Sequence, residues 1–547
     1  MKRLLILALL LLANCVFAQS YAFEWARQGG GVEDDEIWGL AVDVENNYFI
    51  AGAFEDVFGL GDTVLTSSGE ADIFLAKYNQ DSQLLWAKRF GSEHYDAGLT
   101  TTTDKEGNVY VGGLTVEEDN EGNTDSNIWF AALTGDGDLL WSEQIRSASN
   151  DVLLDMVIDR NGILYLTGEY EGAGSMGGFR LEEFGGSDIF LAAYSISDRR
   201  FTHVASTGGP DYDYGLALHL GNSGELVWSG TFYDSASILG EPKVAVGMDD
   251  VFVAHLDAAT FAVNWLATGG SDEEDAVNGL TIDNNGNVFL AGDFRARALF
   301  DGVVVESSGE NDVFLAKYDA SGFVQWVRQA GGRAEDRALS VAVDASGNSY
   351  VTGGFKETVW FDDIEHQSVG ELDIFLARYD ANGTLLTAVS TGGERNDAAT
   401  RLEIDGSGSL VMAGVFQAEA DFGDTSLVSG GEFDVFIGRL YGADITGILP
   451  AGRIEEDFRL APNYPNPFNP STTIRFSLEK AADVRLSIYS ILGEEIAVLV
   501  QGAIEAGEHD AIWDGLNAAG HEVASGMYLY RLQTDRHSET QRMILLK

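Results

Sequence analysis

Asp72-Ile-Phe-Leu-Ala-Lys-Tyr78 is the first clear copy of a stretch that recurs seven times along the chain. The copies are spaced 55 to 62 residues apart, and they begin at Asp72, Asn127, Asp188, Asp250, Asp312, Asp373 and Asp434. Apolar side chains occupy both faces of the stretch, as expected for a strand in a sheet that packs between two neighbouring sheets. A period of about 60 residues fits a four-stranded sheet with one extended loop. The sequence therefore predicts an all-β repeat protein with seven units.

A second position repeats without exception. Ten residues after Trp25 and its equivalents, every unit carries an aspartate: Asp35, Asp96, Asp151, Asp213, Asp275, Asp336 and Asp397. We expect each carboxylate to cap backbone N–H groups of its own loop, because a residue kept in every repeat usually serves the repeat. The alternative is a shared Ca²⁺ site, since clustered carboxylates repel one another unless a hard cation lies between them. The sequence indicates no other cofactor.

Each unit is predicted to contain four strands, which in the first copy cover residues 40–43, 48–52, 72–78 and 84–88. The seventh copy lacks a fourth strand with a tryptophan, whereas residues 23–28 resemble such a strand and have no unit of their own. We therefore expect this N-terminal strand to complete the last sheet, which would cover two open sheet edges. The predicted fold of residues 21–444 is a seven-bladed β-propeller.

The N-terminus has the features of an export signal. Lys2 and Arg3 precede an apolar run at residues 4–13, and residues 1–18 are predicted to be removed by cleavage between Ala18 and Gln19. The chain has one cysteine, which lies within that segment, so the mature protein would have neither disulfides nor thiol chemistry. No later stretch is apolar for 18 residues, and no transmembrane segment is predicted.

Prolines mark a boundary near the other end. Five of the seven prolines fall between Pro450 and Pro470, and they predict a linker at 445–457 and a separate domain at 458–547. Alternating apolar and polar residues, separated by Gly, Asn and Asp turns, predict a small immunoglobulin-like β-sandwich there.

The repeats resemble a known family. Gly-Gly, Asp, Leu-Ala-Val-Asp and Gly-Asn-Val-Tyr, followed by Asp-Ile-Phe-Leu-Ala-Lys-Tyr-Asp and Gly…Trp, are similar to the SBBP-type β-propeller repeats of bacteria. Residues 268–326 and 330–379 match this pattern best. The resemblance implies a fold and hardly any activity, because propellers carry many unrelated functions.

The C-terminal domain looks like the type A sorting domain of the type IX secretion system, which is similar to the immunoglobulin-like domain of flagellar hook-capping proteins. The matching residues are Tyr464, Pro465, Asn466, Pro467, Phe468, Asn469, Pro470, Gly526, Tyr528 and Lys547. The resemblance implies that the type IX machinery is a partner and that the protein crosses the outer membrane to the cell surface or the medium. The alternative is an ordinary accessory sandwich.

Charge and motifs limit the function classes. With 87 acidic and 33 basic side chains, the chain has a net charge of −54, which disfavours nucleic acid and anionic membrane surfaces as partners. Phosphate-binding loops, nucleophile elbows and His-Glu-x-x-His zinc motifs are absent from the sequence. We therefore predict a non-enzymatic binding or scaffold protein with a protein or glycan ligand. The alternatives are a polysaccharide-active propeller enzyme with carboxylates at the channel mouth and a structural component for surface or matrix adhesion.

Overall fold

The structure is a computed structural model. It describes residues 23–440 except 119–121, 123, 147–148, 222–223 and 424, and residues 458–545 except 461–462, 464–467, 469, 479–481, 491–494, 505–506, 518–519, 522 and 534–537. The expected signal segment, its cleavage site at Ala18 and Gln19, and the expected linker lie outside these residues. Contacts divide the chain into two compact units, Met1–Leu449 and Pro450–Lys547.

The described part of the N-terminal unit contains strands and no helix, which confirms the all-β prediction. After β1 (Phe23–Gly30), the first three repeats contain β2 (Asp35–Val42), β3 (Tyr48–Leu60), β4 (Thr63–Tyr78), β5 (Leu84–Phe90), β6 (Asp96–Thr103), β7 (Val109–Glu118), β8 (Thr124–Leu133), β9 (Leu139–Ile145), β10 (Asp151–Ile158), β11 (Ile163–Glu171), β12 (Gly174–Met176), β13 (Phe179–Leu181), β14 (Ser187–Ser195) and β15 (Arg200–Thr207). The last four repeats contain β16 (Tyr214–Leu220), β17 (Glu225–Ile238), β18 (Glu241–Asp257), β19 (Val263–Gly270), β20 (Asp275–Ile282), β21 (Val288–Phe294), β22 (Arg297–Phe300), β23 (Val303–Glu306), β24 (Asp312–Tyr318), β25 (Val324–Gly332), β26 (Asp336–Val343), β27 (Ser349–Phe361), β28 (Ile364–Tyr379), β29 (Leu385–Thr391), β30 (Asp397–Ile404), β31 (Leu410–Phe422) and β32 (Thr425–Leu440).

Each repeat forms an antiparallel sheet in chain order, such as β6-β7-β8-β9 or β10-β11-β14-β15. We call the first strand of each repeat its inner strand; these are β2, β6, β10, β16, β20, β26 and β30. Every inner strand contacts the inner strand of the next repeat, and β30 contacts β2. Each sheet is open at its edges, and the contacts between inner strands bring the seven repeats together.

The strands extend further than the sequence predicted. Residues expected to form a loop between the second and third strands instead form an outward β-hairpin in six repeats, as in β27–β28 and β22–β23. Asp301 and Gly302 connect β22 to β23 with φ values of 43° and 89°. Two successive residues with positive φ make the type I′ turn that suits the twist of a two-residue hairpin. The sequence predicts one extended loop here, whereas the two-residue turn lets both strands continue as a hairpin.

These hairpins also join neighbouring repeats. Gly29↔Leu60, Gly269↔Phe300 and Ala330↔Phe361 pair the outer strand of one repeat with the hairpin of the next. A Cβ atom on Gly269 would lie 2.3 Å from the Phe300 ring, so the close packing of the hairpin requires glycine at this position. These three hairpins therefore cover part of the edge of the preceding sheet.

The N-terminal strand completes the last repeat. β1 pairs antiparallel with β32 from Phe23↔Leu440 to Gly29↔Val435, which gives the order β30-β31-β32-β1. The predicted pairing of the chain's first strand with its last repeat is confirmed. Phe23, Trp25 and Ala26 are buried by it.

Tryptophans of the outer strands lie between repeats. The indole N–H of Trp265 donates to the carbonyl oxygen of Ala320 at 3.2 Å, and that of Trp326 donates to Ala381 at 3.3 Å. Gly322 and Gly383 lie against these rings, because a Cβ atom there would be within 2.6 to 2.7 Å of the indole. These tryptophans therefore hold repeats together and do not form a ligand cage.

The C-terminal unit contains two antiparallel sheets, β33-β34-β37 and β36-β35-β38-β39. Its strands are β33 (Phe458–Leu460), β34 (Thr472–Leu478), β35 (Ala482–Ser490), β36 (Glu495–Ile504), β37 (Gly507–Trp513), β38 (Gly526–Gln533) and β39 (Ser538–Leu545). Ile474 and Trp513 from one sheet share an apolar core with Leu486 and Tyr530 from the other. Two sheets around one core make this unit a small β-sandwich. Within the described residues of both units, no helix is long and apolar enough to cross a membrane.

Candidate functional site

The seven inner strands surround one cavity of about 360 Å³. Each inner strand contains a β-bulge between the second and fourth residues after the repeated aspartate, and the fourth residue after that aspartate lines the cavity in all seven repeats. We call these seven residues the first ring: Gly39, Thr100, Asp155, Ala217, Gly279, Ser340 and Arg401. The residues two positions after the first ring on each inner strand form what we call the second ring: Ala41, Thr102, Val157, His219, Thr281, Ala342 and Glu403. The two rings carry every titratable side chain that lines the cavity in the described part of the chain.

Asp155 connects three inner strands. Its Oδ1 accepts a hydrogen bond from Thr100 Oγ1 at 2.9 Å, and its Oδ2 accepts one from the Leu218 N–H at 2.7 Å. The Met156 N–H also donates to Oδ1. Burial raises the pKa of the Asp155 carboxyl, while these donors and the Arg401 charge oppose that rise. Both oxygens are therefore occupied by the protein itself.

Arg401 carries the only positive charge among the described residues that line the cavity. Its Nη1 donates to the Thr400 carbonyl at 2.9 Å, and no described carboxylate lies within ion-pair distance of the guanidinium. Burial lowers the pKa of Arg401, and the charges of Asp155 and Glu403 act against that shift. An arginine side chain remains charged at neutral pH. The guanidinium thus has donors that face the cavity.

Glu403 and His219 lie in the second ring. Glu403 is open to the cavity but enclosed by protein on its other sides, and this environment raises its pKa to about 7; Arg401 lowers the pKa and Asp155 raises it further. Burial lowers the pKa of His219 to about 4, so the imidazole is neutral at neutral pH. The site therefore combines one fixed cation, one carboxyl that titrates near neutrality and one neutral imidazole.

The seven predicted aspartates lie elsewhere. All are buried, and none lines the cavity. Asp336 Oδ2 accepts from the Gly332 N–H at 2.7 Å, and its Oδ1 accepts from the Lys356 N–H at 3.3 Å. Asp35, Asp96, Asp213, Asp275 and Asp397 likewise accept the N–H four residues before them. Asp151 occupies the same position and is equally buried. The structure does not bring the seven together, and no cluster of metal-ligating side chains occurs among the described residues.

Six of the seven capping aspartates face an acidic residue of the preceding repeat. The facing residue is the first residue of the stretch that recurs in the third strand of each repeat. We call the two residues a junction pair, and the six pairs are Asp434–Asp35, Asp72–Asp96, Asp188–Asp213, Asp250–Asp275, Asp312–Asp336 and Asp373–Asp397. Burial raises the pKa of Asp336 to about 8 and that of Asp312 to about 7, and Asp312 repels Asp336. The Oδ1 atoms of Asp72, Asp188, Asp250, Asp312 and Asp373 are buried without a hydrogen-bond donor. Two such carboxyls do not ionise together easily.

The expected sorting motif is described only in part. Phe468 and Tyr528 are buried against Trp513, with ring centroids 5.5 and 5.1 Å from it. Pro470 is exposed, and Gly526 begins β38. Tyr464, Pro465, Asn466, Pro467, Asn469 and Lys547 lie outside the described residues. The described aromatic members of the motif are thus part of the core of the sandwich.

Sequence reasoning missed Asp155, His219, Arg401 and Glu403. Their signal is a departure from the repeat: Asp155 and Arg401 replace the small or hydroxyl residues of the first ring. His219 and Glu403 replace Ala, Thr or Val in the second ring. Residues that break a repeat in one or two copies serve something other than the repeat.

Comparisons with known proteins show remote similarity. The uncharacterized WD repeat-containing protein L264 of Acanthamoeba polyphaga mimivirus is 19% identical over 509 residues, covering 73% of this chain and 36% of that protein. The regulatory protein FlaEY of Caulobacter vibrioides is 28% identical over 195 residues, covering 34% of this chain and 18% of its own. The chain therefore spans 36% of the length of the first of these curated relatives and 18% of the second.

A solved structure of PorZ, an essential surface component of the type IX secretion system of Porphyromonas gingivalis, is 12% identical and has a TM-score of 0.21; the match covers 93% of this chain and 81% of that one. A similarity of this size assigns no function. The family model of the FlgD Ig-like domain matches residues 468–538. The C-terminal sandwich is thus similar in sequence to the FlgD Ig-like domains over residues 468–538.

Proposed function

We propose that the protein is an exported seven-bladed β-propeller of the SBBP type that binds a ligand and does not catalyse a reaction. The observation that carries this proposal is the cavity among the seven inner strands, which is lined by Arg401 and Glu403, two charged side chains that form no ion pair at contact distance among the described residues. In a concave site, a ligand of opposite charge can displace water from such groups and pair with them. The seven repeats then provide the scaffold, and the departures from the repeat provide the site.

Hydrogen bonds between inner strands support the propeller. Thr103 Oγ1 donates to the Val42 carbonyl at 3.0 Å, and Thr400 Oγ1 donates to the Ile37 carbonyl at 2.8 Å. The first of these bonds links repeats one and two, and the second links repeats seven and one. Bonds of this kind, together with the β1–β32 pairing, fit seven blades that close around an axis.

A polysaccharide-active enzyme fits less well. Glycoside hydrolysis needs two carboxyl groups that can act on the substrate, whereas both oxygens of Asp155 accept hydrogen bonds from the protein. Trp38 is the one aromatic side chain among the described residues that line the cavity, so the site has little surface on which a sugar ring could stack. An adhesion role has no comparable feature in its favour.

For the C-terminal unit, we propose the role of a type A sorting domain that delivers the propeller through the type IX machinery to the cell surface or the medium. The FlgD Ig-like match at residues 468–538 supports this role, as do Phe468 and Tyr528 in the core. The proposed domains are a signal peptide at 1–18, a propeller at 21–444, a linker at 445–457 and a sorting domain at 458–547.

Export tests the sorting role. In a host with a type IX system, removal of residues 458–547 should retain the protein inside the outer membrane, as measured by immunoblotting of cell fractions and medium. A matched control with the exposed substitution Ile512→Ala should be exported normally. Normal release of the truncated chain would refute the sorting role.

Binding tests the role of the propeller. Glycan and peptide arrays probed with the purified full chain should show a ligand class, and the signal should fall when Arg401→Gln and Glu403→Gln are combined. If the double variant binds the ligand as strongly as the wild-type chain does, the binding site does not lie in the cavity. Hydrolysis of an array ligand by the wild-type chain would contradict a purely binding role.

A further inference from the structure

Arg401 and Glu403 lie on the same inner strand, two residues apart, and both line the cavity. Residues two apart on a strand point to the same face and are separated by about 7 Å along the strand. Arg401 therefore marks one level of the cavity with a positive charge, and Glu403 marks the next with a carboxyl. The two side chains carry opposite charges when Glu403 is ionised.

The remaining titratable groups of the cavity do not cancel this arrangement. Asp155 shares the level of Arg401 and attracts the guanidinium, but it forms no ion pair with it at contact distance, and its oxygens accept hydrogen bonds from Thr100, Met156 and Leu218. His219 shares the level of Glu403 and is neutral at neutral pH. The described lining residues on β2, β6, β20 and β26 include no charged side chain. A ligand would thus meet first a guanidinium and then a carboxyl, neither of which forms an ion pair at contact distance with another described residue.

We propose that the cavity binds a small zwitterion of dipeptide length, with the ligand's carboxylate on Arg401 and its ammonium group on Glu403. This inference rests on the proposed binding function and gives it a ligand class. The guanidinium matches a carboxylate with two parallel hydrogen bonds. An extended dipeptide spans about 7 Å between its charged ends, which is the separation of the two levels. The cavity of about 360 Å³ has room for many waters or one such molecule.

The proposal has a proton signature. Desolvation by the protein around the cavity raises the pKa of Glu403 to about 7 in the free protein, and an ammonium group binds only the ionised carboxylate. Binding below pH 7 therefore releases a proton from Glu403, and affinity rises between pH 6 and pH 8. A ligand held by its carboxylate alone would cause neither effect through Glu403.

Isothermal titration calorimetry of the purified full chain with glycylglycine tests the proposal. We expect binding that weakens at least tenfold in Arg401→Gln and in Glu403→Gln, and at least tenfold when the ligand is N-acetylated or converted to its amide. At pH 6.5 the measured heat should depend on the ionisation enthalpy of the buffer, and Glu403→Gln should abolish this dependence. Arg297→Gln and Glu306→Gln, on the outer hairpin β22–β23, are the control substitutions, and melting temperatures check that every variant is folded.

Three results would overturn the proposal: no binding of glycylglycine, equal binding of the blocked peptides, or binding that both cavity substitutions leave unchanged. If glycylglycine fails to bind while an array ligand binds in a way that Arg401→Gln weakens, the ligand class is wrong and the proposed binding function stands. If no array ligand binds either, both are wrong.

Discussion

Buried carboxyl pairs are the most distinctive feature at the scale of single residues. In six of the seven junctions two aspartates face each other, and in the remaining one Asn127 stands where the other repeats have aspartate. Asp312 and Asp336 have pKa values of about 7 and 8, well above the value of about 3.9 for an unfolded chain. The folded protein therefore binds more protons than the unfolded one between pH 4 and pH 8.

The sign of the pH dependence follows from this difference. Since the native state holds the extra protons, the free energy of unfolding decreases as the pH rises from about 4 to about 8. Asp312→Asn copies the arrangement at Asn127 and removes one of two carboxyls that must ionise together. We expect it to raise the free energy of unfolding by about 1–2 kcal/mol at pH 8 and to change it little at pH 5, as measured by urea unfolding.

The exposed substitution Asp272→Asn is the control and should keep the wild-type pH profile. An equal loss of stability at both pH values in Asp312→Asn would mean that the carboxylate serves only to accept the Ser308 N–H, which it does at 2.9 Å.

At this scale the sequence predicted the capping aspartates but not the cavity residues. Asp35 and its six equivalents stand out because they repeat without exception. Asp155 and Arg401 could be seen only as departures from the repeat, and nothing in the sequence says which face of a bulged strand lines a cavity. The bulge shifts the register by one residue, and such a shift exchanges the two faces of a strand.

The element that the sequence described least well is the outward hairpin. Its strands continue the second and third strands of a repeat and end in a tight turn, so an apolar residue near its tip can reach the neighbouring repeat. Phe361 is fully buried near the end of β27, where it pairs with Ala330 of the preceding repeat and shares an apolar cluster with it. Trp360, the residue before it, is 45% exposed. Because successive side chains of a strand point to opposite faces, Phe361 packs between the repeats whereas Trp360 points to solvent.

This contrast gives a matched pair of substitutions. Phe361→Ala should lower the free energy of unfolding by about 3–5 kcal/mol, because it leaves a cavity between two repeats. Trp360→Ala should change it by less than about 1 kcal/mol, although it removes the larger side chain. Urea unfolding followed by far-ultraviolet circular dichroism measures both. Equal effects would show that the hairpin does not join the repeats.

At the scale of the whole molecule, the central claim is that seven repeats close into one structure around the cavity. The chain is built so that β1, from its N-terminal end, completes the sheet of the last repeat. Arg439 on β32 reinforces this connection, since it donates to Glu24 of β1 and contacts Asp405 at 3.0 Å. The repeat count and this pairing could be predicted from the sequence, because both follow from a period and from a strand without a sheet. The charges inside the cavity could not, because they depend on how the seven strands meet.

Thermal unfolding of a chain that begins at Gly31 tests this claim most directly, with a chain that begins at Phe23 as the control. Loss of β1 exposes the edge of β32 and removes the buried side chains of Phe23 and Trp25, each of which contributes about 3–5 kcal/mol. The account predicts that the melting temperature of the truncated chain falls by more than about 5 °C and that glycylglycine binding is lost with it. An unchanged melting temperature would contradict closure of the seven repeats through β1.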